Sequence, residues 1–304
     1  MNLRISNLRR GTAGPIGLIC LICLICLVLL GLCPGRLALA EDRPQRSRSP
    51  ARRVALEIKE IEPATSSRDA RDTIAAAIPL DQLQDHHRAQ VEALLAKRTL
   101  FRCLPALRIE LEPSSYEFYR RNPEVAVAVW HVLGISKLQL KPTAAPGLFT
   151  VQSSDGSDGM IEILLQTEDL LIVRGTGNWH CGLLPTPIRS EGLVVLRHRF
   201  EQDRSGRRFV SHQAALFLTF PQNSVRNVAL LAAPVTHMIA DRNFKDISLF
   251  LRMMHVASVE RPGWVERIAG RLEGLNRAKR DAFLKSAAQA VVAARRRRES
   301  TSQR

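Results

Sequence analysis

The stretch GLVVLRHRFEQDRSGRRFVSHQAALFLTF, residues 192 to 220, decides the fold. Two apolar-rich runs flank the turn DRSG, whose Gly206 suits a positive φ, and together they read as a β-hairpin. Pairing Asp203 with Gly206 sets the expected register: Arg197 opposite His212, and His198 opposite Ser211. One face then carries Val194, Leu196, His198 and Phe200 against Ala215, Gln213, Ser211 and Phe209. It is an apolar face with a small polar group in it. That suits a ligand pocket, and it equally suits a core with a hydrogen-bonded polar pair.

Working outward, the residues before the hairpin read as further strands joined by short turns. KLQLK (137–141), 148–152, 160–166 and a run starting at Leu170 are strands, with SSDGSDG and TED as turns. The last of these closes on GTGNWHCGLLP (175–185). Trp179, His180 and Cys181 sit at its end, and adjacent side chains on a strand point to opposite faces, so the Cys–His pair is not a catalytic dyad. Upstream, LRIEL (107–111) alternates as a strand that Pro113 ends. SSYE offers a capping box, Ser114 with Glu117. Asn122-Pro123-Glu124 starts a second helix, and Gly134 stops it. Residues 72–99 are helical in pattern, interrupted at Pro79, with His86 and His87 expected in solvent.

After Phe220 the period becomes helical. Val228, Leu231, Val235, Ile239, Ile247, Phe250, Leu251 and Met254 form one expected apolar stripe, kinked or split at Pro234. His237 and Asp241 share a helix face as a solvated or capping pair. Further helices cover residues 261–304 and end in Arg295 to Arg298, a basic tail.

The first forty residues have the layout of a secretory signal peptide. Arg4, Arg9 and Arg10 precede an apolar run, and Ala38-Leu39-Ala40 forms a cleavage site. A second reading keeps residues 16–32 as a membrane anchor, since the run is long enough and Arg-rich sequence follows it. Residues 41–70, opening EDRPQRSRSPARR, are a flexible linker. Cys20, Cys23 and Cys26 are apolar filler in the run. Past residue 40 only Cys103 and Cys181 remain, either as one disulfide or as two buried thiols. The formal net charge of +15 reflects either an Arg-rich coding habit or an anionic partner such as a membrane or cell-wall surface. The charge lies in tails rather than in a patch interleaved with aromatics, and with an export signal no nucleic-acid partner is expected.

The expected architecture is α+β: an antiparallel six- to seven-stranded sheet packed on a long C-terminal helix. Residues 71–260 form that domain, with its core in 103–258. In element order this resembles the helix-grip fold of START-like lipid-transfer domains. The stretch YEFYRRNPEVAVAVWHVLGISKLQL (116–140) also resembles uncharacterised exported bacterial proteins. The helix-grip resemblance implies a cavity between sheet and long helix that holds a hydrophobic or amphipathic small molecule. Trp130, Arg174, Trp179, His198 and Gln213 are the expected pocket residues, the Arg orienting a headgroup and the Trp residues supplying apolar surface. There is no GxSxG, HExxH, glycine-rich phosphate loop or CxxC past residue 40. Hence no cofactor and no metal are expected, and a binding module is expected rather than an enzyme. The alternative is an envelope-associated structural protein with a filled core and basic tails.

Overall fold

The computed structural model describes residues 58–154, 156–179 and 187–302. The signal region, the candidate anchor, the first part of the linker, and His180 with Cys181 lie outside the described residues. The described chain is α+β, built on one large antiparallel sheet that is not closed. Its strands are β1 (Ile58–Glu62), β2 (Leu100–Cys103), β3 (Ala106–Glu110), β4 (Gln139–Pro142), β5 (Leu148–Gln152), β6 (Asp158–Gln166), β7 (Leu170–Trp179), β8 (Ile188–Gln202) and β9 (Arg208–Thr219). The helices are α1 (Arg68–Ala76), α2 (Asp85–Lys97), α3 (Pro113–Arg121), α4 (Pro123–Leu133), α5 (Asn223–Leu231), α6 (Ala233–Glu260), α7 (Pro262–Gly270) and α8 (Arg277–Ser302).

Spatial order runs β1-β3-β9-β8-β7-β6-β5-β4, with β2 also on β9. The sheet is therefore wider than the six or seven strands expected. β1 lies in residues read as linker, and it pairs with β3. β2 and β3 run along the same edge of β9, Cys103 opposite Ala215 and Leu107 opposite His212. They would be one strand but for Leu104-Pro105, because Pro105 has no N–H to give the ladder.

The hairpin register differs by one residue from the expectation. His198 faces His212, and Arg199 faces Ser211. The cause is the turn. Asp203 N–H donates to Arg207 O at 2.9 Å, and Gly206 N–H donates to Asp203 O at 2.9 Å with φ +79° at Gly206. This three-residue loop ends in a left-handed glycine. Arg207, not Gly206, closes the hairpin, and a one-residue slip moves a whole side-chain set to the other face.

Both faces of the sheet are covered. Val194, Leu196, Val210 and Leu216 pack with Phe244, Ile247 and Phe250 of α6 in one core cluster. Leu193, Val195, Ala215 and Phe217 pack with Val91 and Leu94 of α2 in the other. Continuous apolar runs such as LVVL and LLIV are what a two-faced strand needs.

The helix starts also depart from the motif reading. α3 begins with Pro113 at its first turn and Glu112 as the capping position, with no side-chain cap bond. The SSYE capping box does not form, because Glu117 is engaged by Arg120 and His198 instead. Gly134 does close α4, at φ +69°, with Ile135 N–H donating to Trp130 O at 2.9 Å. The C-terminal stripe is split at Ala232, giving α5 and α6, with Pro234 in the first turn of α6. Among the described residues no helix is long and apolar enough to cross a membrane.

Candidate functional site

Residues of the sheet, α3, α4 and α6 line a small chamber of about 50 Å³. Trp130 of α4 lines it and is fully buried, its ring edge-on to Phe250 at 5.5 Å. The indole Nε1–H has no hydrogen-bond partner. Leu171, Leu196, Phe244 and Ile247 supply further apolar wall.

The chamber surface is almost wholly apolar, and a hydrogen-bonded string adjoins it through Tyr116 and His212. Tyr116 Oη lies 3.2 Å from His212 Nδ1, His212 Nε2 lies 2.9 Å from Ser248 Oγ, and Ser248 Oγ–H donates to Phe244 O at 2.8 Å. The serine hydroxyl has one proton, and Phe244 O takes it. His212 must then donate from Nε2 to Ser248 and accept at Nδ1 from the Tyr116 hydroxyl. The string is complete, each donor pointing from Tyr116 through His212 and Ser248 toward Phe244 O. His212 is thus not a base for Ser248 in this arrangement. Burial, with His198 opposite as a second cause, holds the His212 imidazole down to about 3. Burial pushes the Tyr116 hydroxyl well above the usual phenol range.

His198 lies beside this string, its ring 4.9 Å from that of Tyr116, and its Nε2 is 3.2 Å from Glu117 Oε1. Burial and then the Arg120 charge lower its pKa, against the opposing pull of Glu117. Glu117 is held by Arg120 at 2.6 Å, and buried Arg120 donates to Thr167 O at 2.9 Å. These bonds tie α3 to the β6–β7 turn.

The five expected pocket residues do not converge. Trp130 lines the chamber and His198 adjoins it. Gln213 is moved to the opposite face by the register, where its Nε2 donates to Leu104 O at 3.2 Å. Arg174 is also on that face, donating to Glu191 Oε1 at 2.6 Å and lying 3.8 Å from Glu162 Oε2. It is not positioned to orient a ligand in the chamber. Trp179 ends β7 opposite Ile188. Cys103 is buried on β2, its thiol pushed up to about 11 by that burial, and its expected partner Cys181 is outside the described residues. The sequence reading missed Tyr116, His212 and Ser248 as a set. The correct hairpin register is the signal that places His212 on the α6 face.

A second feature lies at the α5–α6 elbow. The helix stripe read as core is exposed in its first half. Leu231 is 85% exposed and Met238 62%, with Val228, Leu230 and Val235 about half exposed. Among the described side chains of this stretch, Ala229, Thr236 and Ala240 are the buried ones. Exposed Arg226 and Arg242 bracket these residues in sequence, and Arg242 Nε lies 3.7 Å from Asp246 Oδ2. Asp241 is the one acid between them in sequence, and Arg102 Nε donates to it at 3.0 Å. His237 and Asp241 feel each other's charge, but the hydrogen-bond contact of His237 is its Nδ1 at 3.4 Å from Ser66 Oγ. The C-terminal basic run is helical. Arg295 and Arg296 are exposed, while Arg297 pairs with buried Glu112.

No protein-family model matches the chain, and no curated protein matches it. Among solved structures it is similar to an uncharacterised protein from Rhizobium leguminosarum, at 15% identity and a TM-score of 0.31, over 50% of this chain and 95% of that one. A likeness that slight carries neither a fold family nor a function to this chain.

Proposed function

We propose that this chain is a non-enzymatic, envelope-associated module that docks on an anionic membrane surface through the α5–α6 elbow. The observation that carries the reading is Leu231 and Met238, large apolar side chains standing in solvent between Arg226 and Arg242. Exposed apolar side chains with basic residues beside them in the chain are what an interfacial helix offers to acyl chains and headgroups. The net positive charge, which stays strongly positive when residues 1–40 with their four Arg are removed, adds long-range attraction to an anionic surface. Residues 1–40 as an export signal, or 16–32 as an anchor, would deliver the domain there. The test is vesicle flotation with phosphatidylcholine alone and with added phosphatidylglycerol. Selective, salt-sensitive binding to the anionic vesicles supports the reading, and equal or absent binding to both sinks it.

The chamber supports a second reading, a carrier of a small apolar ligand. Here the sheet and α6 would act as the two jaws of a helix-grip, START-like domain. The unpartnered Trp130 N–H would donate to a single acceptor on the ligand. The chamber's about 50 Å³ compares with roughly 300 Å³ or more for a drug-sized ligand. A lipid chain would enter only if α6 moved off the sheet, so the reading is narrowed to a ligand of a few heavy atoms. Native mass spectrometry of the chain purified without detergent tests it, through a bound mass that disappears on denaturation.

A further inference from the structure

On the sheet face away from the chamber, the first turn of α2 places two histidines over β6. His87 is buried although it sits in a helix of mixed polarity, and its Nε2 lies 3.1 Å from Glu162 Oε1. Its other ring nitrogen, Nδ1, is buried with no hydrogen-bond partner. His86 is exposed, yet its ring centroid lies 3.8 Å from that of His87. One donor atom each from His86, His87 and Glu162 lies within 4.8 Å of the others.

We propose that His86, His87 and Glu162 form a divalent transition-metal site that clips α2 to the sheet. Two imidazoles and a carboxylate are donors for Zn²⁺ and neighbouring first-row ions, and not for Mg²⁺ or Ca²⁺, which take oxygen ligands. Bonds of about 2.0–2.1 Å in a tetrahedron put neighbouring donors roughly 3.3 Å apart. The His87–Glu162 separation of 3.1 Å is close to that edge. Exposed His86 is free of core packing and closes the remaining distance by a side-chain rotation. Three protein donors leave a fourth position for water or a small ligand.

The surroundings suit a cation. Glu162 and Arg174 are cross-strand partners, and Arg174 donates to Glu191. The two acids and one base leave one net negative charge at the site, and Asp85 offsets the positive end of α2. Arg174 lies at 3.8 Å on the far carboxylate oxygen, Oε2, and leaves Oε1 to face the histidines. A plain His87–Glu162 hydrogen bond would explain two of these residues but gives no role to His86.

The experiment is isothermal titration of the full chain with Zn²⁺ alone, repeated on His86→Ala and Glu162→Gln. The expected result is one saturable equivalent in the parent, weakened at least tenfold in each variant. In thermal melts Zn²⁺ should raise the Tm of the parent and not of His86→Ala, whose metal-free Tm stays at the parent value. His86→Ala is the deciding variant, because it spares the His87–Glu162 bond. Uptake unchanged in His86→Ala places the metal elsewhere and overturns the proposal, as does no saturable uptake by the parent.

Discussion

His198 and His212 face each other across the β8–β9 hairpin, and burial lowers the pKa of both imidazoles. His212 is held down to about 3, chiefly by burial, and His255 on α6 is likewise held down to about 3 by burial, with Arg252 and Arg297 nearby. An unfolded histidine titrates near 6.5, so below that pH the unfolded chain binds protons that the folded chain refuses. Stability is therefore full above about pH 6.5 and falls as pH drops from there toward 3. Each buried histidine contributes at most about 1.4 kcal/mol per pH unit to that slope. Urea melts between pH 7 and 4.5 should show it, and His255→Gln should flatten it. A slope unchanged in His255→Gln would remove that residue from the account.

The α5–α6 elbow gives a prediction on binding without one on stability. Leu231 and Met238 are mostly exposed, so Leu231→Asp and Met238→Asp should leave the folding stability unchanged to within about 0.5 kcal/mol. Each side chain would bury roughly 1.5–3 kcal/mol of apolar surface in an interface. Flotation with anionic vesicles should then weaken about tenfold or more per substitution. Arg226→Glu should weaken binding at low salt and matter little at high salt. Retained vesicle binding in the double Asp variant would turn attention to Arg295 and Arg296.

Much of the fold was legible in the sequence because strand alternation, helix stripes and turn glycines are local. β5 falls on the residues expected, β7 starts at Leu170 as expected, and Gly134 ends α4. Three things were not local. The register rested on one turn, and counting Arg207 rather than Gly206 as the closing residue moved Gln213 to the far face. The continuous runs at 170–173 and 193–196 signal burial on both faces, but they do not say which helix lies over each. Val228, Leu231 and Val235 keep helical spacing with Phe250, yet the break at Ala232 lets the first half of the stripe face solvent. His86 and His87 read as solvated on α2, because only tertiary pairing brings Glu162 under them.

Trp130 tests the chamber. Truncation to Ala should cost about 3–5 kcal/mol, as for other fully buried large aromatics. Trp130→Phe keeps much of the ring and also removes an unpartnered buried N–H, which by itself costs about 1–3 kcal/mol. Its loss should therefore be clearly smaller than that of Trp130→Ala. A ketone series from acetone upward then probes occupancy. If the chamber takes a ligand, the Trp130 indole N–H resonance shifts on titration, and shorter ketones act more strongly than longer ones. An indole resonance that no member moves means that the core is filled.

The β6–β7 ladder predicts a sharp contrast between two glycines. Gly159 pairs with Gly177, and a Cβ added at Gly159 would stand 2.5 Å from the carbonyl oxygen of Thr176. That contact is with backbone, so neither a rotamer change nor a flexible tip relieves it, and the strands themselves must separate. Gly159→Ala should cost about 1–3 kcal/mol, the range for forced overpacking. At Gly270, the last residue of α7, a new Cβ meets nothing within 4 Å. Gly270→Ala should instead be neutral or stabilise by up to about 1 kcal/mol, by restricting the unfolded chain. Chemical denaturation of the two variants side by side checks the pair. Equal effects would mean that β6 and β7 are not in the register that sets Glu162 opposite Arg174 and beneath His87.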